Sequence, residues 1–174
     1  MAENQEGGWD KPHVGTVIPD ARVLKDQFLD AFNGHDLDRM LRCHSRDAVL
    51  VTPAGVTEGH DEISSFYQDF FDGFPDLRMT VWHTVTCADP AVSEWVLTGT
   101  HTGPFLLPEG EMLQGTGRPV TVRGTSTCTV SNGKIITHRI YFDQLELYSQ
   151  LGAKLNFDDV PTIEETEGQT VSPP

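Results

Sequence analysis

The chain has 174 residues, long enough for one domain with a real core and too short for two comfortable ones. Its 12 Lys plus Arg stand against 26 Asp plus Glu, a formal charge of -14, which argues against nucleic acid or an anionic membrane surface as a partner. Three cysteines, Cys43, Cys87 and Cys128, show neither metal spacing nor an even-numbered disulfide framework, so a reducing, cytoplasmic setting is expected.

Residues 1–18 are rich in Gly, Pro and polar side chains and read as a disordered leading segment, with Trp9 as a loose terminal aromatic or a packing contact. They lack the basic and apolar regions of a signal peptide, and no stretch of the chain reaches membrane-spanning length. The domain is expected over residues 19–156. Residues 157–174, acidic and proline-bearing, read as a disordered tail.

Within the domain, Ala21, Leu24, Phe28, Ala31 and Phe32 follow helical spacing, and Asn33-Gly34 supplies a stop. Asp36 then caps a second short helix with Leu37, Met40, Leu41 and His44 on one side, which turns His44 inward. Residues 48–52 read as a strand closed by Pro53-Ala54-Gly55. A third helix carries the stripe Ile63, Phe66, Tyr67, Phe70, Phe71 and Phe74, ended by Gly73 and Pro75. That stripe reads as core, each large side chain contributing about 1.5–3 kcal/mol when buried. Tyr67 alone has a hydroxyl to offer a ligand.

Residues 78–87 alternate, with Met79, Val81, His83, Val85 and Cys87 on one face and Thr80, Trp82, Thr84 and Thr86 on the other. After the turn at residues 88–90 comes a second hairpin arm over 92–101, whose Trp95, Leu97, Gly99 and His101 share a face. His83 and His101 are thus either ligand contacts or satisfied sheet histidines. Residues 102–119 form a long irregular loop in which Phe105, Leu106 and Leu107 either cover a cavity or pack on the sheet rim. A strand over 120–131, bearing Arg123, leads through the Asn132-Gly133 turn into another over 134–142. Leu147, Tyr148 and Leu151 belong to a closing helix that ends at Gly152. Period-2 spacing puts Arg139, Tyr141 and Asp143 on one sheet face at the strand end.

The run from Gly133 to Gly152, a Gly-Lys-Ile turn, a strand with a histidine, Asp143 and a short helix ending Gln150-Leu151-Gly152, closely resembles the C-terminal signature of the SnoaL-like polyketide cyclases. These belong to the nuclear-transport-factor-2-like or ketosteroid-isomerase-like superfamily. Gly99-Thr100-His101-Thr102-Gly103 and Phe74-Pro75-Asp76 support the match, which covers roughly Leu24 to Leu155. The resemblance implies an α+β fold: a cone-shaped barrel with a strongly bent antiparallel sheet packed on helices, enclosing a mostly apolar pocket. It also implies a homodimer, with Trp82 and its flanking threonines as a candidate outer surface.

The seven histidines lack metal spacing, and neither a phosphate-binding glycine loop nor a nucleophile elbow occurs, so acid–base chemistry without metal or cofactor is expected. By resemblance, Asp143 acts as general acid/base in an intramolecular aldol ring closure of a polyketide, with His101 or Arg139 stabilising the enolate oxygen. Tyr141, His83, Tyr67, Phe105 and Trp95 complete the expected substrate contacts with an apolar small molecule. Asp143-Gln144-Leu145-Glu146 also reads as a capping box, which explains Asp143 without catalysis. Arg139, where an aromatic residue is expected in many relatives, opens two alternatives: epoxide hydrolysis or ether/pyran closure on the same fold, and a non-catalytic binding or dimerisation module.

Overall fold

A computed structural model describes residues 20–86, 90–107 and 110–153. The expected flanks 1–18 and 157–174, together with Trp9 and Cys87, lie outside the described residues. Helix α1 (Ala21–Asn33) starts where the Asp20 carboxylate accepts the Val23 N–H at 2.9 Å. Its buried face holds the five predicted apolar residues and one that was not predicted, Lys25. Asp36 caps α2 (Leu37–Cys43) through the Arg39 N–H, also at 2.9 Å.

His44 does not ride on α2; it begins β1 (His44–Thr52), which is longer than its sequence suggests because it lies beside the last strand with a register shift between His44 and Val49. The imidazole is buried nonetheless, its Nδ1–H donating to the Met40 carbonyl at 2.9 Å. A short edge strand, β2 (Gly55–Glu58), follows the turn and was not anticipated. Helix α3 (Gly59–Gly73) presents the aromatic stripe: Ile63, Tyr67 and Phe71 are buried, while Phe66 and Phe70 remain partly open.

The remaining elements are β3 (Arg78–Thr86), β4 (Ala91–Thr100), β5 (Phe105–Leu106), β6 (Met112–Leu113), β7 (Pro119–Ser131), β8 (Lys134–Phe142) and α4 (Gln144–Leu151). One six-stranded sheet runs in the order β2-β1-β8-β7-β4-β3, antiparallel except for the parallel β1–β8 pair, and β5 with β6 forms a separate ladder. The curved sheet packs α1 against β3, β4, β7 and β8, α3 against β1 and β2, and α4 against β7. A single core fills the space between.

Two local features position the site. In β3, Val81 faces Trp95 but His83 faces Glu94, so a bulge at Trp82 inserts one residue and reverses the faces. Met79 and Val81 therefore pack inward, as does Thr84 beyond the bulge, whereas His83 and Val85 turn outward with Trp82. Simple alternation fails there, and with it the expectation that His83 looks into the domain. The start of the 102–119 loop is fixed just as firmly: Thr102 and Gly103 both donate N–H to the Gly73 carbonyl, at 3.0 and 3.1 Å. A Cβ on Gly103 would lie 1.9 Å from the Asp72 carbonyl oxygen, so only glycine lets the loop cross the end of α3 this closely.

Candidate functional site

That crossing carries Phe105 onto Phe70 and Phe74, at ring-centroid distances of 5.1 and 5.3 Å. Between α3, the β5–β6 segment and α4 it leaves an open crevice of about 540 Å³. Phe66, Phe70, Phe105, Leu107, Phe142 and Leu147 supply its apolar wall, which suits a flat, apolar ligand. Thr57, Asp61, Glu62 and Ser65 also line the crevice, together with three polar groups whose contacts bear on chemistry, Asp69, Tyr148 and Gln144. Asp69 accepts the Leu106 N–H at 3.0 Å, tying loop to helix. Burial nonetheless raises its carboxyl above the usual range, helped by the nearby charge of Asp72. Tyr148 is raised as well, first by burial and then by the charge of Asp69, so its phenol keeps its proton. Gln144 donates its amide N–H to the Tyr148 oxygen, which leaves the phenolic hydrogen for another acceptor.

Deeper in, Phe66, Phe70 and Phe142 also wall a second, smaller cavity of about 30 Å³, shared with Tyr67, Trp95 and Ile140. Tyr67 is buried there with its hydroxyl unpartnered, and burial pushes that phenol far above its usual range. Trp95, Met79 and Ile140 separate this space from a third cavity, also about 30 Å³, that reaches Lys25 and His138 under α1.

His101 is completely buried, between Phe74 and Phe105 at 5.2 and 6.2 Å. Its Nδ1 accepts the Thr116 N–H at 3.3 Å, with the Thr116 hydroxyl at 3.1 Å, which fixes the loop return rather than facing a cavity. Desolvation lowers its pKa, so it is a neutral imidazole.

The predicted site residues thus divide. Phe105 lines the crevice, and Tyr67 and Trp95 line the spaces behind it. Arg139 and Tyr141 do share a sheet face, but it is the outer one, and both are exposed. His138, Ile140 and Phe142 hold the inner face instead. Asp143 is exposed, absent from the crevice lining, and accepts the Glu146 N–H at 3.0 Å as the cap of α4. Asp69, Tyr148, Gln144, Lys25 and His138 are the groups that sequence reasoning did not place at a site. Among the described residues, no cluster of His, Cys, Asp and Glu is arranged to hold a metal, and no helix is long and apolar enough to cross a membrane.

Comparison with known proteins agrees with this architecture. The sequence profile of the SnoaL-like polyketide cyclases matches residues 22–151. IdmH from Streptomyces antibioticus, a candidate polyketide cyclase, superposes with a TM-score of 0.64 at 26% identity, over 76% of this chain and 99% of its own. A candidate SnoaL-like polyketide cyclase from Jannaschia sp. CCS1 superposes at 0.69 with 22% identity, over 85% and 100%. AclR from Streptomyces galilaeus, a candidate hydroxylase, reaches 0.66 at 23% identity, over 76% and 95%. No curated protein matches the sequence. With three quarters of its length under one family profile and a curved sheet wrapped on helices, the chain belongs to the SnoaL-like polyketide cyclase family.

Proposed function

We propose that the protein is an acid–base cyclase acting on an apolar, carbonyl-bearing polyketide held in the crevice, with Asp69 as proton carrier. One observation carries this reading: a carboxyl raised by burial sits in an apolar wall, close enough for its charge to help keep the Tyr148 phenol protonated. Asp69 accepts a proton from the carbon alpha to a carbonyl, and the enolate carbon forms a bond to a second carbonyl carbon. Tyr148 donates a hydrogen bond to the developing oxyanion, and the Asp69 proton returns to the alkoxide. Aldol closure is an isomerisation, so its atoms and electrons balance without a co-reactant. Asp143 in this reading is the cap that holds α4, and thereby Gln144 and Tyr148, in place.

Titration of isotope-labelled protein with a tricyclic aromatic ketone such as anthrone tests the location. Resonances of Phe66, Phe70, Phe105 and Tyr148 are expected to shift together. Shifts confined to the outer sheet face, or none at millimolar ketone, count against the crevice. Pairing of two copies through the outer face, where Trp82, Val85 and Tyr141 are exposed, is part of the same proposal. Light scattering at micromolar concentration should give a dimer mass, and a monomer mass contradicts it.

A further inference from the structure

The chain has four lysines, and Lys25 is buried under α1 against the concave side of the sheet. Its Nζ donates to the Ser126 carbonyl at 2.8 Å and to Ser126 Oγ at 3.1 Å, and Trp95 Nε1–H donates to the same hydroxyl at 3.2 Å. No carboxylate compensates it: among the described residues the one ion pair is Arg39–Asp30, at the surface. A buried ammonium without a counter-ion is costly, and desolvation lowers Lys25 to about 8. Once deprotonated, the amine keeps two hydrogens for the two acceptors on Ser126, which leaves the nitrogen lone pair unused.

Lys25 borders the small cavity that also touches His138, Trp95, Ser93, Met79 and Ile140. His138 is buried, with Nδ1 unpartnered, and desolvation together with the charges of His44 and Lys25 holds it well below the usual histidine range. A buried imidazole with a free ring nitrogen and an amine without a counter-ion thus line one small enclosure, the arrangement that makes a lysine nucleophilic.

We propose that Lys25 is a nucleophilic amine site that forms an imine with small aldehydes and ketones admitted to the cavity beneath α1. Nζ attacks the carbonyl carbon, a carbon–nitrogen bond forms, and the carbonyl oxygen leaves as water. His138 is the proton carrier, taking a proton from the attacking nitrogen and delivering one to the departing oxygen. No oxidant or reductant is required. The proposal uses no residue of the Asp69 crevice, so it stands or falls independently of the cyclase reading.

Reductive trapping with acetaldehyde and cyanoborohydride, followed by peptide mapping of the intact chain, reads out all four lysines at once. At pH 7, Lys25 should be ethylated about tenfold or more faster than Lys11, Lys134 and Lys154, because an amine titrating well below the reference of about 10.4 is far more deprotonated there. The preference should vanish in urea, where all four meet the same solvent. The groups that shape its pH profile are His138 on β8, Cys128 on β7 and Asp26 on α1 itself. Labelling of Lys25 no faster than that of the other lysines overturns the proposal and leaves Lys25 as a tie between α1 and β7. The wild-type map decides this alone; Lys25→Met, where it folds, serves to confirm the assigned peptide.

Discussion

Replacing Asp69 with Asn is expected to lower turnover of a cyclisation substrate by about 10²–10⁴-fold, the usual contribution of a positioned proton carrier. Asn keeps the acceptor that holds the Leu106 N–H, so the loop and its Phe105 stay in place while the group that titrates is gone. The effect on stability should run the other way. A carboxyl whose folded pKa is raised binds its proton more tightly in the folded state, so it loses stability as pH rises through the window from its unfolded to its folded pKa. At neutral pH Asp69→Asn therefore should not destabilise the fold, and urea midpoints alongside kinetics will separate a lost catalyst from a lost structure. Asp143→Asn is the internal contrast: it weakens a cap, an effect of about 1 kcal/mol or less on stability. A turnover loss larger for Asp143→Asn than for Asp69→Asn would return the chemistry to the strand end.

The second large effect concerns acid. His44, His101 and His138 are buried, and desolvation depresses all three, His44 to about 4. Between 6.5 and about 4 the unfolded chain binds a proton at His44 that the folded chain does not. Its contribution is thus complete above pH 6.5 and is lost as pH falls through that window, amounting to about 3 kcal/mol for a shift of this size. The other two histidines add in the same direction. Urea unfolding at pH 7 and at pH 4.5 should show a marked fall in midpoint, and His44→Gln should flatten it. A midpoint that is level or rises on acidification contradicts the buried neutral histidines.

Most of the fold was legible because it rests on periodicities the chain repeats plainly. The α1 stripe, the α3 aromatics and the Asn132-Gly133 turn, with φ of 50° and 70°, are local signals that the structure keeps. The β3 face was misread because a bulge leaves no mark in composition, only in pairing with β4. The edge strand β2 and the β5–β6 ladder were missed because two to four residues carry too little pattern to distinguish from turn. For the site, the expected Arg139 and Tyr141 fall on the outer sheet face. Counting back by twos from Ile140 places His138 inside and Arg139 outside, yet the charged residues drew the functional assignment. Lys25 sits between Leu24 and Phe28 in the α1 stripe, a lysine at a core position, which is itself a warning that something polar lies beneath. Asp69 could not be found this way. Its crevice is made by the loop crossing at Gly103, a tertiary event with no sequence period.

The proposed role of Asp69 rests on its being the desolvated carboxyl of the crevice, where Asp143 is an exposed helix cap. Its direct test is a carboxyl-carbon NMR titration of both residues, assigned with Asp69→Asn and Asp143→Asn. Asp69 is expected to titrate clearly above the reference of about 3.9 and to shift further when an aromatic ketone fills the crevice. An Asp69 value at or below that reference, unmoved by ligand, would contradict it.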